Sequence, residues 1–402
     1  MSRRLLKFAL ASAALMLGAA AAKHFRRDTV IATPLIAMPA TPYDESTVRD
    51  RDIEFYSRRL AEDPASAADR VTLAKLFFTR SRITGSEADL TRAEELARES
   101  IAERAQRNYQ AFELLASILM ARHEFREARK IAAQVDSIDP GSHSHLALLG
   151  EIELELGDYD AAARHFGAIQ YDGRNFTTGA RLARWYELTG RLGKARTFLK
   201  QSILKVDHRD DLPREQVAWF HYRLGDLELR AGNTGAADSA FNRGLTRNPG
   251  DPRALGGLAR SAFARGDWQR AIEFGERATA AQLDPGTLGI VSASYYRIGN
   301  SEQAASYAKA MSASALEQPG PIHRAWGLFL LDHGSATDRA RVLELARREL
   351  EDRKDVYGHD LLAWALYRNG QLAEARAEMK IALSQRTEDV MLAGHARAIG
   401  VN

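Results

Sequence analysis

Apolar residues along most of this chain recur at helical spacing, in short runs separated by glycine. Three segments repeat one arrangement: an apolar-small pair, a glycine seven residues after the small residue, and an alanine five residues later. Apolar positions three and four residues apart predict an amphipathic helix on each side of the glycine. The glycine predicts the end of the first helix, because a left-handed residue commonly terminates helices. The segments are residues 146–166 (LALLGEIELELGDYDAAARHF), 220–249 (FHYRLGDLELRAGNTGAADSAFNRGLTRNP) and 361–383 (LLAWALYRNGQLAEARAEMKIAL).

The small residues of this arrangement predict how the two helices pack. Gly225 in the first helix would let the second helix approach closely, and Ala237 would lie where the helices cross. Phe241, four residues after that alanine, would fill the space to the next unit. Gly150 and Ala363 take the position of Gly225 in the other two segments.

The turn positions recur at a nearly constant interval. Gly232 and Gly266 are 34 residues apart, and Gly266 and Gly299 are 33 apart. His123 occupies the turn position 34 residues before Gly157. In this period and in its small, glycine and alanine positions, the chain resembles the tetratricopeptide repeat family, whose period is about 34 residues.

The resemblance covers roughly 80% of the chain and implies an all-α fold. We expect a right-handed superhelical α-solenoid of about eight to nine helix-turn-helix repeats, with the first helix of each pair lining a concave face. An irregular helical domain with accidental spacing is the alternative, but chance spacing does not recur over several repeats. An insertion, residues 210–217, separates the fourth and fifth units. The expected units are 69–107, 109–142, 143–175, 176–209, 218–251, 252–284, 285–318, 319–353 and 356–389.

The N-terminus has the pattern of a targeting segment. Arg3, Arg4 and Lys7 precede an apolar run over residues 8–22 that ends in small residues. A basic start, a short apolar run and a small-residue end are typical of a secretory signal. Lys23 follows at once, so both a cleaved signal peptide and an N-terminal membrane anchor stay open. We expect residues 1–22 to export the chain, which would be periplasmic or anchored to the membrane.

Three parts of the chain follow from these patterns. The signal peptide or membrane anchor spans residues 1–22, and a proline-containing linker spans residues 23–55. Three prolines between residues 33 and 42 favour an extended linker. The tetratricopeptide array is expected over residues 56–402.

Charge and cysteine content exclude several classes of function. The 402 residues include 56 basic and 53 acidic side chains, a net charge of +3 that is mixed along the helices. This mixture is typical of a solvated surface. Proteins that bind nucleic acid usually show a dense stripe of basic residues instead, so no nucleic-acid partner is expected. The chain has no cysteine. Disulfides, thiolate metal sites and a cysteine nucleophile are therefore excluded.

The sequence predicts no catalytic residue, no metal site and no cofactor. It contains no G-x-S-x-G, H-E-x-x-H or Walker-type motif. The two histidines of His143-Ser144-His145 would point to different sides of a helix, so we expect surface histidines there. A repeat enzyme that uses a groove carboxylate or histidine is kept only as an alternative of a different class.

The resemblance also implies which residues face the groove. Carrying over the family's groove positions gives acidic residues in the early units, such as Glu113, Glu151 and Glu155. Later units give arginine and aromatic residues, so the groove would change from acidic to basic-aromatic along its length. Packing between units is the alternative role for the aromatic residues. The candidate peptide-binding residues are Trp219, Tyr222, Arg230, Arg260, Tyr296 and Arg297.

These features together predict a binding protein. We expect a protein-protein interaction scaffold that holds one or more polypeptide partners in the concave groove, in the cell envelope. The alternative is an assembly or secretion accessory factor, chaperone-like, acting on envelope substrates. The family's clamp for a C-terminal carboxylate is not expected, because its asparagine positions hold residues such as Ser117 and Asp226. Membrane contact is expected only through the N-terminal segment.

Overall fold

The computed structural model describes residues 45–138, 141–318 and 320–401. The predicted targeting segment (1–22) and most of the predicted linker lie outside these residues. The described residues form twenty helices and no strand. None of these helices is both long and apolar enough to cross a membrane.

Eighteen of the helices form nine consecutive pairs, with one helix before them and one after. The pairs run from α2/α3 to α18/α19, and in each pair the first helix is the A helix and the second the B helix. The helices are α1 (Glu45–Glu62), α2 (Ala67–Thr84), α3 (Glu87–Glu103), α4 (Tyr109–Ala121), α5 (Phe125–Ile138), α6 (His143–Leu156), α7 (Tyr159–Gly167), α8 (Phe176–Leu188), α9 (Leu192–Val206), α10 (Arg214–Arg230), α11 (Thr234–Arg247), α12 (Pro252–Ala264), α13 (Trp268–Ala281), α14 (Pro285–Arg297), α15 (Ser301–Leu316), α16 (Arg324–His333), α17 (Ala336–Asp352), α18 (Val356–Arg368), α19 (Leu372–Leu383) and α20 (Val390–Ile399).

The nine pairs correspond one to one to the nine units expected from the sequence. The A helix ends at the predicted turn glycines: Gly157 and Gly232 have φ of 76° and 83°. His123 takes the same left-handed conformation, with φ of 61°, at the turn between α4 and α5. The α-solenoid expected from the spacing is therefore confirmed.

The small residues pack as their spacing predicts. A Cβ on Gly225 would lie 2.4 Å from Cε1 of Phe241, and one on Gly257 in the next A helix would lie 2.5 Å from the same atom. Phe241 and Ala237 are fully buried. One aromatic ring of α11 thus fills the space between two glycines on successive A helices, which brings those helices close together.

Two segments are more helical than the sequence indicated. The predicted linker (23–55) was extended too far along the chain, because residues from Glu45 onwards form helix α1. Ile53 is buried in α1, and Tyr56 and Leu60 pack beside it against the hydrophobic core formed by helices α2 to α6. The second half of the predicted insertion (210–217) is also helical, because α10 begins at Arg214.

Successive turns of the superhelix lie directly against each other. A Cβ on Gly157, in the α6–α7 turn, would lie 2.1 Å from the carbonyl oxygen of Lys354, and one on Gly190 would lie 2.3 Å from that of Arg386. These pairs are 197 and 196 residues apart along the chain. One superhelical turn therefore takes roughly six repeats of about 34 residues.

The first helix joins this packing. Both carboxylate oxygens of Glu45 in α1 accept a hydrogen bond from the backbone N–H of Arg214, at 3.1 and 3.0 Å. Arg49 pairs with Glu215 at 3.6 Å. These bonds tie α1 to the start of α10, so the helix predicted as linker is part of the folded array.

Candidate functional site

Two of the predicted binding residues, Arg230 and Arg260, donate to one buried carboxylate. Asp226 of α10 accepts hydrogen bonds from Arg223 at 2.9 Å, Arg230 at 3.0 Å and Arg260 at 2.9 Å. Burial raises the pKa of this carboxyl group, but the nearby arginines lower it more, so the pKa lies well below its usual range. Asp226 is therefore ionised and joins the A helices α10 and α12.

Arg230 also contacts elements from the far end of the chain. Its Nη1 lies 3.4 Å from Oδ2 of Asp389 and its guanidinium carbon lies 4.9 Å from the ring centre of Tyr357. The Tyr357 hydroxyl donates to the same Asp389 oxygen at 3.2 Å. Burial raises the pKa of Tyr357 to about 12, so its hydroxyl stays protonated and can donate. Residues about four to five repeats further along the chain thus meet Arg230.

The two predicted aromatic residues of α10 mainly pack against neighbouring rings. Tyr222 is half-buried, and its ring centre lies 6.0 Å from that of Phe241. Trp219 packs edge-on against Phe220 at 4.9 Å, beside the core cluster of α8, α9 and α10. Burial raises the pKa of Tyr222. Both rings therefore pack against other rings on the helix that carries Arg230 or on its neighbour.

The remaining two predicted residues form a separate surface at the end of α14. Tyr296 is 68% exposed, and Arg297 is exposed beside it. The guanidinium carbon of Arg297 lies 5.5 Å from the ring centre of Trp268, which packs against Phe263 at 5.0 Å. The six predicted residues therefore do not share one surface: Tyr222, Arg230 and Arg260 lie near Asp226, Trp219 packs against Phe220, and Tyr296 and Arg297 are exposed. We call Tyr296, Arg297 and the neighbouring Trp268 the exposed aromatic surface.

The acidic residues predicted for the early units are ion-paired. Glu113 lies 2.8 Å from His145, and Glu151 lies 2.8 Å from Arg181 in the A helix two helices later. Glu155 lies 3.0 Å from Arg353, from the next superhelical turn, and burial raises its pKa. The acidic residues of the early units are therefore paired with basic residues of the protein itself.

Sequence reasoning misplaced one histidine and missed two contacts. His145, expected at the surface, is only 2% exposed because it lies on the packed side of α6 and bonds to Glu113. Trp268 and Asp389 were not among the predicted residues. The aromatic position of Trp268 after a turn glycine was a usable signal. Asp389 takes the helix-capping position that Asp251 and Asp284 take in earlier units, and nothing in the repeat pattern indicates its contact with Arg230.

Two small cavities lie where the superhelical turns meet. One, of about 330 Å³, is lined by residues that include Tyr159, Lys354 and His359. The other, of about 230 Å³, is lined by residues that include His123 and His323. No group of histidine and acidic residues in the described part of the chain has the arrangement of a metal site.

Comparisons with known proteins agree with this fold. The tetratricopeptide repeat family model matches residues 114–175 and 222–286. The Cut9–Hcn1 heterotetramer of APC/C aligns with 15% identity and a TM-score of 0.50, over 87% of this chain and 66% of that chain. PilF of Pseudomonas aeruginosa aligns with 15% identity and a TM-score of 0.42, over 56% of this chain and 97% of that chain.

A further solved structure was matched. PilW, a type IV pilus biogenesis factor, aligns with 17% identity and a TM-score of 0.44, over 56% of this chain and 99% of that chain. Among curated proteins, none matches the sequence significantly. Residues 114–175 and 222–286 are therefore tetratricopeptide repeats, and the nine helix pairs of the described residues follow the same repeat register.

Proposed function

We propose that this protein is an interaction scaffold that binds one or more polypeptides through the arginine and aromatic residues of its A helices, in the cell envelope. Helical-repeat arrays use extended concave surfaces for binding. The observation that carries the proposal is the exposed aromatic surface, where Tyr296 is 68% exposed and Arg297 stacks over Trp268. The proposed role is binding and not catalysis.

The chemistry of these residues selects the class of partner. Arginine binds carboxylates through two parallel hydrogen bonds, and exposed aromatic rings bury apolar side chains. Tyr296 and Arg297 are next to each other in sequence, so a ligand would meet both kinds of contact within one helix end. The partner therefore carries acidic and apolar residues close together.

A crosslinking experiment tests the binding surface. Tyr296 is replaced by a photoreactive phenylalanine in the full chain, and crosslinks are collected in intact cells. The same probe at Arg243, which is exposed on the B helix α11, is the matched control. We expect one polypeptide to be captured at position 296 and not at position 243. Equal capture at both positions would remove this surface as the site, and capture of many unrelated polypeptides would favour the accessory-factor alternative.

A reporter fusion tests the proposed location. The basic residues and apolar run of residues 1–22 support export. A reporter that is active only after export, fused after Asn402, should be active. Replacing Leu15 and Leu17 with aspartate should abolish the activity, because charge in the apolar run opposes insertion. An inactive reporter in the unmutated fusion would contradict the envelope location.

A further inference from the structure

A small cavity lies at the contact between the second and the eighth repeat units. Its volume is about 230 Å³, which is below the roughly 300–1,000 Å³ of sites that hold drug-sized molecules. None of the residues that line it in the described part of the chain is acidic. Its basic residues come from the α4–α5 turn, the start of α16 and the end of α17, and we call it the basic cavity. They are His123, His323, Arg324 and Arg353.

Each of these four residues has a buried nitrogen that finds no hydrogen-bond partner among the described residues. The atoms are Nδ1 of each histidine and Nε of each arginine. Buried polar groups in folded proteins are nearly always hydrogen-bonded, to the protein, to water or to an ion. The Nε of an arginine can only donate, and an imidazole nitrogen donates when it carries a proton. The basic cavity therefore collects donors that need acceptors.

The helix that begins at this cavity lacks the cap that neighbouring A helices have. His323 is the N-cap residue of α16, and its side chain makes no capping hydrogen bond. The equivalent residues of α12 and α18 are Asp251 and Asp355, whose carboxylates accept hydrogen bonds from the first backbone N–H groups. Asp284 of α14 and Asp389 of α20 do the same. An anion bound in the cavity would supply the acceptor oxygens that the repeat provides in those helices.

Carboxylates hold the two arginines at the cavity through their other nitrogens. Nη2 of Arg353 lies 3.0 Å from Glu155 of α6 and 3.3 Å from Asp355. Nη2 of Arg324 donates to Asp360, a buried carboxylate of α18. Each arginine is therefore fixed in position, while its Nε is left for another acceptor.

The charges around the cavity nearly cancel. Burial, together with Arg353 and His323, lowers the pKa of His123 to about 4, and burial also lowers the pKa of His323, so both imidazoles are uncharged near pH 7. A Cβ on Gly320 would lie 3.0 Å from Nδ1 of His123 and 3.4 Å from Oε2 of Glu349, and burial raises the pKa of this glutamate. An anion would therefore be held mainly by hydrogen bonds, and a dianion would favour protonation of an imidazole beside it.

We propose that the basic cavity binds a small oxyanion of the phosphate class, which joins two successive superhelical turns. The two oxygens of a carboxylate offer about four acceptor positions, fewer than the four side-chain donors and the first N–H groups of α16 require. Phosphate has enough oxygens to reach His123 on one turn and Arg324 and Arg353 on the next. The inference goes beyond polypeptide binding, because the exposed aromatic surface takes no part in it.

Histidine side-chain NMR on the full chain tests the site, with inorganic phosphate as the probe at constant ionic strength. We expect the ring signals of His123 and His323 to shift saturably, whereas those of the exposed His143 and His333 stay in place. Acetate should bind at least fivefold more weakly than phosphate. Equal shifts in all four histidines, or acetate binding as tight as that of phosphate, overturn the inference. If water alone satisfies the donors, phosphate shifts neither ring, which also overturns it.

Glycerol phosphate is the second probe, because a free ion and a phosphate ester share this chemistry. Binding at least as tight as that of inorganic phosphate identifies a phosphate ester as the ligand, and weaker binding identifies the free ion. Either result supports the site, provided that His123 and His323 report it.

A single substitution replaces the ligand by a side chain. His323→Asp places at the start of α16 the carboxylate that other A helices carry, so it should repel phosphate and abolish the shift of the His123 ring. His333→Asp, at the exposed end of the same helix, is the matched control and should leave that shift unchanged. Phosphate binding by His323→Asp as tight as by the unmutated chain overturns the inference.

A milder variant decides the matter if His323→Asp does not fold. Arg324→Lys keeps the charge that is paired with Asp360 but removes the Nε donor, so it should weaken phosphate binding at least threefold. Thermal unfolding gives an independent measure, because a ligand that binds only the folded chain raises Tm. Phosphate should raise the Tm of the unmutated chain more than that of Arg324→Lys, since its general stabilising effect as a salt acts on both. Equal increases and equal affinities overturn the inference.

Discussion

At the scale of single residues, glycines decide how closely the helices of neighbouring units approach. Gly225 and Gly257 lie on either side of the Phe241 ring, which is fully buried. A methyl group at either position would overlap an aromatic ring that has no free space around it. The sequence could indicate this packing, because the small and aromatic positions recur with the repeat.

We expect Gly225→Ala to lower the free energy of unfolding by about 1–3 kcal/mol through overpacking. Gly235 in α11 is the control, because no atom lies within 4 Å of a Cβ placed there. Gly235→Ala should be neutral or stabilising by up to about 1 kcal/mol, since alanine favours helix over glycine. Denaturant unfolding measures both variants, and equal effects would show that the helix register is wrong.

His123 is an ionisable residue at a turn position that elsewhere holds glycine. Burial, Arg353 and His323 lower its pKa from 6.5 to about 4, although Asp355 acts in the opposite direction. As the pH falls below about 6.5, the unfolded chain therefore binds this proton before the folded chain does. The contribution of His123 to stability is present above pH 6.5 and is lost as the pH falls towards 4.

We expect His123→Gly to remove this pH dependence. Between pH 7 and pH 4, the unmutated chain should lose about 3 kcal/mol more unfolding free energy than the variant, from the size of the pKa change. Glycine also accepts the left-handed conformation of the turn. His143→Ala, at an exposed position in α6, should keep the pH dependence of the unmutated chain. Parallel curves for the glycine variant and the unmutated chain would show that His123 is not buried as described.

At the scale of helices and turns, the repeat pattern predicted most of the array. The units at 143–175 and 285–318 contain α6/α7 and α14/α15 with their turns in place. The pattern missed α1, because its apolar residues Ile53, Tyr56 and Leu60 lie among many charges and follow a proline-rich stretch. Local spacing finds repeated helices more easily than a single helix that is stabilised by contacts with α2 and α10.

Turn glycines that face another superhelical turn should tolerate substitution by alanine less well than turn glycines that face solvent. Gly157 and Gly370 both end an A helix with positive φ, at 76° and 80°. Gly157→Ala would place a methyl group against the Lys354 carbonyl, whereas Gly370 has no atom within 4 Å of a Cβ. We expect about 1–2 kcal/mol of destabilisation for Gly370→Ala, from the left-handed conformation alone.

Gly157→Ala should destabilise the chain by at least about 1 kcal/mol more, because the backbone of the next superhelical turn must move. Thermal and denaturant unfolding of the two variants measure this difference. Equal destabilisation would contradict direct contact between the superhelical turns at this point.

At the scale of the whole molecule, the sequence could not indicate which distant residues meet. Arg230 was predicted to face the groove, but its partner Asp389 lies 159 residues further along the chain, at the end of the ninth unit. The contact depends on the rotation accumulated over about five repeats, and a small change per repeat shifts it by many ångströms. The spacing of residues 219, 222 and 230 could place them on one helix face, but not in the enclosed interior.

Two arginines that were predicted to bind the partner lie in different surroundings. Arg230 is paired with Asp226 and Asp389 in the interior, whereas Arg297 is exposed over Trp268. Removing Arg230 should therefore lower stability, because it leaves buried carboxylates with less compensation. Removing Arg297 should weaken binding of the partner and leave the stability of the fold unchanged.

The most direct measurement is therefore the affinity of the full chain for the polypeptide captured at position 296, with the unfolding free energy measured on the same samples. Arg297→Ala should weaken binding by about 1–3 kcal/mol and leave stability unchanged, whereas Arg243→Ala, on α11, should change neither quantity. Added salt should weaken binding to the unmutated chain. Unaltered affinity for Arg297→Ala, or a loss that only follows a loss of stability, would contradict the proposal that the A-helix surface of this scaffold binds polypeptides.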